Sequence, residues 1–371
     1  MADSSGEGDH QSSTEHAKQF LFENGPGFFS GIQQRELHTM TTYLVTGGGG
    51  FLGGAICRRL IDRGDFVRSL QRSGTPALQA LGVECRRGDI ADDSAVKSAV
   101  QGCDAVFHVA AKAGVWGPPS EYENANVTGT ENVIRACREA GVAKLVHTSS
   151  PSVIYHGVDE SGIDESTPYP DIYLAEYPRT KAIGERLVMA ANGPQLATVA
   201  LRPHFIWGPG DNHLFPRIVD QARKGKLRRI ADGRNLVDAT YIDNAVDAHL
   251  AAMQRVQPDA ACAGKVYFIS NDEPMPLWDL INGMLACADL APIKKSISPA
   301  AAYRIGALLE FAYRMFRLPG EPRMTRFVAR LLSTAHWYDL TAAKRDLGYA
   351  PSVSTAEGLK RLRESWRKQH P

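Results

Sequence analysis

The sequence predicts an α/β protein: a doubly wound parallel sheet with a smaller, mostly helical, discontinuous second domain. Three observations predict it. Short apolar runs alternate with amphipathic stretches from Thr42 to Pro203. A glycine-dense run, TGGGGFLGG over Thr46–Gly54, separates the first such strand from the first such helix. After Pro203 the alternation loosens into Pro-Gly turns and helical text.

Taken in order, residues 1–39 are polar, acidic at first and aperiodic, and read as a disordered extension ahead of a domain that begins near Met40. TYLVTG is a short buried strand, GAICRRLIDRG an amphipathic helix closed by a C-cap glycine, and FVRSLQR a second strand, so the chain opens as a βαβ unit. The pattern continues through AVKSAVQG (helix), CDAVFHVAA (strand), ENANVTGTENVIRACREAG (one long helix), KLVHTSS (strand), a helix from Tyr177 to Asn192, and ATVALRP (strand). Strands separated by helices pair in parallel, which makes the sheet of Rossmann type. Farther on, IWGPGD supplies turns, RIVDQARKGKLRR is basic helical text, KVYFIS is one more buried strand, and the chain from Pro274 is mostly helical. Residues 40–203 with about 237–272 are expected to form the sheet domain, and about 204–236 with 273–371 the second domain, folded over the carboxyl edge of the sheet where such folds place ligands.

Composition narrows the function. A net charge of +1 argues against nucleic acid as a global electrostatic partner, and 43% hydrophobic with 22% charged residues is ordinary for a globular protein. The six cysteines are scattered without C-x-x-C or His/Cys ligand spacing, so neither a disulfide framework nor a metal site is expected, and a reducing cytoplasm fits. No apolar run reaches the roughly 18 residues of a spanning helix, and no signal peptide stands at the N-terminus.

Gly47, Gly50 and Gly53 fall at T-G-x-x-G-x-x-G spacing between strand and helix. One glycine permits the tight turn, the next lets backbone approach a pyrophosphate, and the third lets helix and strand pack closely, while the helix N-terminus at Phe51 and Leu52 faces the phosphates. A flexible turn is the plain alternative, but the position favours a dinucleotide. The second strand then lacks the carboxylate that binds a ribose 2′-hydroxyl; Arg72 and Ser73 stand there and suit a 2′-phosphate, so NADP(H) is expected over NAD(H). Arg68 and Arg86 are other candidates for that phosphate, and Asp89–Ile90 is an adenine contact unless Asp89 is a helix cap.

Among the tyrosines, Tyr177 alone has a lysine four residues on, Lys181, on the same helical face. An ammonium beside a phenol lowers its pKa from about 10 and readies it for proton transfer. Ser150, at the end of KLVHTSS, is the expected hydroxyl donor to a substrate oxygen, with Ser149 competing.

TGGGGFLGG, NVTGTENVI, HTSS, YPRTK, LRPHFIWGPGD and the closing DLGYAPSVSTAEGL together resemble an extended short-chain dehydrogenase/reductase of the 3β-hydroxysteroid dehydrogenase-like branch, over roughly residues 41–371. The resemblance implies Ser150, Tyr177 and Lys181 as a catalytic trio with Asn126 in support, Ala110 and Pro203 along the cofactor, and Lys181 on its ribose. Val109, in His108-Val109-Ala110-Ala111, departs slightly from the family's text. AAKAGVWG, YFISN and HWYDLTAAKRDLGYAP are most similar to the branch that reduces 2-alkyl-3-oxoalkanoates in olefin biosynthesis, which implies a lipid-like β-keto acid reduced to a β-hydroxy acid. Sterol dehydrogenases, nucleotide-sugar epimerases and a non-catalytic redox sensor are the rival readings.

His204, Trp207 and Tyr241 are expected near substrate, and Asn244 in a supporting segment, with helix capping by Asp243 as the alternative for that text. Ile305, Leu308, Leu309, Ala312 and Phe316 share one helical face, ringed by Arg304, Arg314 and Arg317. That face is read as core, as the wall of an acyl tunnel, or as a contact for a membrane surface or partner. The partners left open are a second copy and other enzymes of the same pathway.

Overall fold

Six largely apolar runs and one charged edge run, ECRR, become strands: β1 (Thr42–Thr46), β2 (Phe66–Gln71), β3 (Glu84–Arg87), β4 (Ala105–His108), β5 (Lys144–Thr148), β6 (Ala197–Pro203) and β7 (Lys265–Ile269). The computed structural model describes residues 41–370, so the expected extension over 1–39 lies outside the described residues. The strands form one parallel sheet in the order β7-β6-β5-β4-β1-β2-β3. Both faces are covered, which is why β4 and β6 are buried at every residue and read as continuous apolar text rather than alternation. Helices α1 (Phe51–Asp62) and α4 (Ile242–Arg255) pack on one face, α2 (Gly129–Ala140) and α3 (Glu176–Ala190) on the other. The chain runs outward from β1 to β3 and then crosses back to β4, so a crevice opens at the carboxyl ends of β1 and β4.

The single long helix expected over ENANVTGTENVIRACREAG is interrupted. A short helix over Pro119–Glu123 passes through a π-turn at Asn124–Thr128 before α2 begins. The cause is local: the Asn126 side chain bonds both backbone groups of Lys112, and the Thr130 hydroxyl donates to the Asn126 carbonyl at 2.8 Å.

Beyond the sheet, the helices are joined by a small mixed sheet of Met275–Pro276, Leu236–Val237, His336–Tyr338 and Glu160–Ile163, in that order. Helix α5 (Pro299–Met315) lies against α6 (Arg326–Leu331), and α7 (Thr355–Gln369) closes the chain. α5 buries its small residues: a Cβ on Gly306 would stand 2.6 Å from the Thr325 carbonyl carbon, and Glu310 accepts the Arg326 backbone N–H at 2.7 Å. Of the apolar stripe, Ile305, Leu308 and Phe316 are exposed, Leu308 at 67% and Phe316 at 69%, while Leu309 and Ala312 are half-buried, so of its three readings that of core is corrected; the close helix contact is made by the opposite face. Among the described residues no helix is long and apolar enough to cross a membrane.

Candidate active site

Gly47 follows β1 with φ +74, and a Cβ there would stand 2.8 Å from Ala110 Cα. A Cβ on Gly53 would meet the Gly47 carbonyl oxygen at 2.3 Å. Only bare backbone fits this crossing of strand, turn and helix. α1 then starts from Gly50 with no side-chain cap and no acid in its first turn, leaving its first N–H groups for an anion. The turn fits a dinucleotide pyrophosphate. Above it runs a cleft of about 1070 Å³, lined by every residue expected to hold the cofactor, from Gly47 through Arg72, Asp89 and Ala110 to Lys181 and Pro203.

At the β2 end of the cleft three arginines separate. Arg68 is bound to Glu84 at 2.8 Å and to two backbone carbonyls, and Arg86 to Glu84 at 2.6 Å. Arg72 lines the cleft and, among the described residues, its guanidinium has no ion-pair partner. Asp89 turns its carboxylate onto the Ala91 N–H at 2.9 Å, while the helix that follows is capped by Asp92; the capping alternative for Asp89 is thereby corrected.

Tyr177 and Lys181, one helical turn apart in α3, face the cleft beside Ser150. Burial raises the Tyr177 phenol, and a hydrogen bond with the Ser150 hydroxyl partly opposes it. The expectation that Lys181 lowers this phenol is not met. The Lys181 ammonium is held by the Thr148 carbonyl at 2.5 Å and stands 3.3 Å from His147 Nε2, and its own burial pulls it down to about 8 against the pull of Glu185. Ser150 also caps the short 3₁₀ turn over Pro151–Ile154, which fixes its hydroxyl at the end of β5. A phenol, a hydroxyl and an ammonium on one wall can together hold a carbonyl oxygen and hand it a proton.

Supporting residues fix these groups without lining the cleft. Asn126 Nδ2 donates to Thr180 Oγ1 at 2.9 Å and to the Lys112 carbonyl at 3.2 Å, so it ties α3 to the loop after β4. Glu185, fully buried, takes Arg202 of β6 in a two-pronged pair at 2.6 and 2.9 Å. Tyr169 adds a third bond at 2.6 Å.

Farther in, His204 lines the cleft and donates from Nδ1 to the Asp238 carbonyl at 2.9 Å; burial pushes it down to about 3. It stacks on Phe205, which is held at φ 39. Trp207 and Tyr241 are not there. They pack edge to face in the core, ring centroids 5.4 Å apart, beneath Gly358 of α7. The reason is strand alternation: in the two-residue strand Ile206–Trp207, Ile206 faces the cleft and Trp207 the opposite side. Asp243 does not cap α4 either; it pairs with Arg361 at 3.3 Å, while Asn244 is buried against Asn271 and Val353.

Sequence reasoning missed Tyr155, Glu160, His336 and Tyr338, which share the inner end of the cleft with His204. Glu160 is 3% exposed and burial pushes it up to about 8, with the His156 backbone opposing. The text around Glu160, GVDESGIDES, is polar and carries no signal, and its partner Tyr338 lies 178 residues away in sequence, where no local spacing reveals it.

A model of the 3-beta hydroxysteroid dehydrogenase/isomerase family matches residues 44–297. The chain is 54% identical to a 2-alkyl-3-oxoalkanoate reductase of Stenotrophomonas maltophilia over 87% of this chain and 98% of that protein. It is 50% identical to a 2-alkyl-3-oxoalkanoate reductase of Shewanella oneidensis over 86% of this chain and 85% of that protein. Among solved structures, it is similar to a UDP-glucuronic acid 4-epimerase from Bacillus cereus in complex with UDP-glucuronic acid and NAD, with a TM-score of 0.68 and 25% identity over 88% of this chain and 99% of that one.

Proposed function

The chain belongs to the 3-beta hydroxysteroid dehydrogenase/isomerase family, oxidoreductases acting on a keto or hydroxy group, and we propose that it reduces a 2-alkyl-3-oxoalkanoate to the 2-alkyl-3-hydroxyalkanoate with NADPH, as a step of olefin biosynthesis. The observation that carries the reading is the Ser150–Tyr177 pair on the cleft wall, with Lys181 one turn along α3 and the glycine turn in the same cleft. Bound nicotinamide supplies the hydride. Tyr177 gives its phenolic proton to the carbonyl oxygen while Ser150 donates a hydrogen bond to the same atom. Burial keeps the phenol protonated at neutral pH, which suits reduction of a ketone. Lys181 turns its remaining N–H toward the ribose, and Asn126 holds α3 in place. Arg72 and Ser73 take the 2′-phosphate; Arg72 is supported over Arg68 and Arg86 because those two are already occupied by Glu84.

The segments 204–236 and 273–371 serve as the substrate layer. Its exposed face on α5, Leu308, Phe311, Met315 and Phe316, rests on an anionic lipid surface, a reading supported by the exposed Arg304, Arg314, Arg317 and Arg323 around it. The Tyr313 and Arg314 side chains pack on Trp116, next to the cleft-lining Val115, so this face adjoins the entrance.

The test is a panel of 2-alkyl-3-keto acids, 3β-hydroxysteroids and UDP-sugars followed by nicotinamide absorbance with NADPH and NADH. Turnover of the branched keto acids supports the reading. Turnover of sterols or sugar nucleotides alone replaces it.

A further inference from the structure

Lys181 is buried at 3% exposure, yet among the described residues its ammonium is given only two acceptors. One is the Thr148 carbonyl. The other is His147 Nε2. His147 stands on β5 opposite His108 of β4, on the sheet face covered by α2 and α3, and is 1% exposed.

The surrounding bonds fix which nitrogen does what. Thr130 spends its one hydroxyl proton on the Asn126 carbonyl, so His108 must donate from Nε2 to Thr130 Oγ1 at 3.0 Å and accept at Nδ1 from Thr46 Oγ1 at 2.9 Å. His108 is therefore neutral and fully used. His147 lies next to it, ring centroids 5.0 Å apart, and among the described residues its Nδ1 has no hydrogen-bond partner. A buried imidazole that leaves one nitrogen unmatched calls for an explanation, and the bond made by the other nitrogen offers one.

We propose that His147 is a positioning residue for Lys181: its neutral imidazole, protonated on Nδ1, accepts a hydrogen bond from the ammonium at Nε2 and so keeps that ammonium charged and pointed into the cleft. This rests on the reading of Lys181 as part of the reacting group. The charged and titratable groups around the ammonium are His147 on β5, His108 on β4, His249 on α4 behind Thr148, and Tyr177 and Glu185 on α3 itself. Of these only Glu185 is anionic, and it is already committed to Arg202. Burial and the Lys181 charge hold His147 well below its ordinary value, so it meets the ammonium as a lone pair and not as a second cation. Removing that lone pair leaves one acceptor for a buried ammonium, which then deprotonates at lower pH.

The experiment uses the full-length protein with NADPH and the keto acid it reduces fastest. His147→Leu is expected to move the alkaline limb of the kcat/KM profile to lower pH by about one unit, roughly a tenfold loss at a pH on that limb. His147→Gln, whose carbonyl oxygen reaches the place of Nε2, is expected to restore the limb. An unchanged limb in His147→Leu, or equal pH-independent losses in both variants, overturns the proposal. Lys181→Met separates the two ideas: if it remains active the reading of Lys181 fails, whereas if it is dead while His147→Leu keeps the parent profile only His147 is wrongly assigned. ¹⁵N-histidine NMR of the full chain, with His147→Leu to identify the signal, gives a second readout. Protonation on Nδ1 is expected, and an Nε2–H tautomer overturns the proposal without reference to activity.

Discussion

At the scale of single residues, the site is a set of polar atoms whose partners are already assigned, leaving few directions in which each can act. The Tyr177 phenol has Ser150 beside it and is kept protonated by burial. Tyr177→Phe removes the only proton it can transfer and should lower kcat by about 10²–10⁴ with little change in NADPH binding measured by fluorescence. A variant that retains near-parent kcat would remove the phenol from the chemistry. Arg72→Ala should raise the KM for NADPH at least tenfold while leaving that for NADH nearly unchanged, the pattern expected when one guanidinium holds one phosphate. Equal changes with both cofactors place the 2′-phosphate contact elsewhere. The same scale explains which residues the text disclosed. Tyr177 and Lys181 are four apart on one helix and the glycines three apart in one turn, so sequence spacing is spatial spacing there. Trp207 misled because its side of a two-residue strand is set by pairing with Thr240–Tyr241, which no local pattern states.

At the scale of elements, α3 is the part on which the site depends, and its anchor is the buried pair of Glu185 with Arg202. Glu185→Ala leaves an unpaired guanidinium inside the protein and should cost about 3–5 kcal/mol, read as a fall in urea midpoint with unchanged m-value. A loss under 1 kcal/mol would mean that the pair contributes little to holding α3 on β6. α5 is the opposite case, an element whose buried face is Ala302, Gly306 and Glu310 and whose large apolar residues Leu308, Phe311 and Met315 are outside. Replacing Phe311 and Phe316 together by Asp should abolish co-sedimentation with phosphatidylglycerol vesicles while kcat on a short, soluble keto acid stays within about twofold. Unaltered co-sedimentation, or a change of oligomeric state instead, would assign the face to a protein partner. Helical periodicity exposed this stripe in the sequence but could not tell which face packs, since that depends on Gly306 meeting Thr325 across another helix. The small mixed sheet escaped for a related reason: strands of two to four residues are too short to carry a period of two.

For the whole molecule, pH should act through two opposed sets of buried groups. His108, His147, His204, His249 and His336 are all held below 6.5 by burial. Protons therefore favour the unfolded chain, and stability is lost as pH falls below about 6.5. Glu160, pushed up to about 8, has the reverse sign: its contribution is complete below the ordinary carboxylate range and is lost as pH rises toward 8. Lys181, pulled down to about 8, opposes Glu160 at the alkaline end. Stability should thus climb from pH 5 to about 7 and then level off toward pH 8. Glu160→Gln should let it go on rising above pH 7. Urea unfolding at a series of pH values checks both, and a Glu160→Gln curve that levels off like the parent's would contradict the Glu160 assignment.

The clamp between Glu185 and Arg202 has a further consequence for motion. Tyr177 and Lys181 ride on α3, and Pro203 is the next residue after Arg202, so the proposed proton source and the wall beside the proposed nicotinamide site belong to a single solid. Any movement of the elements over the cleft would then leave the spacing between Tyr177 and Pro203 undisturbed.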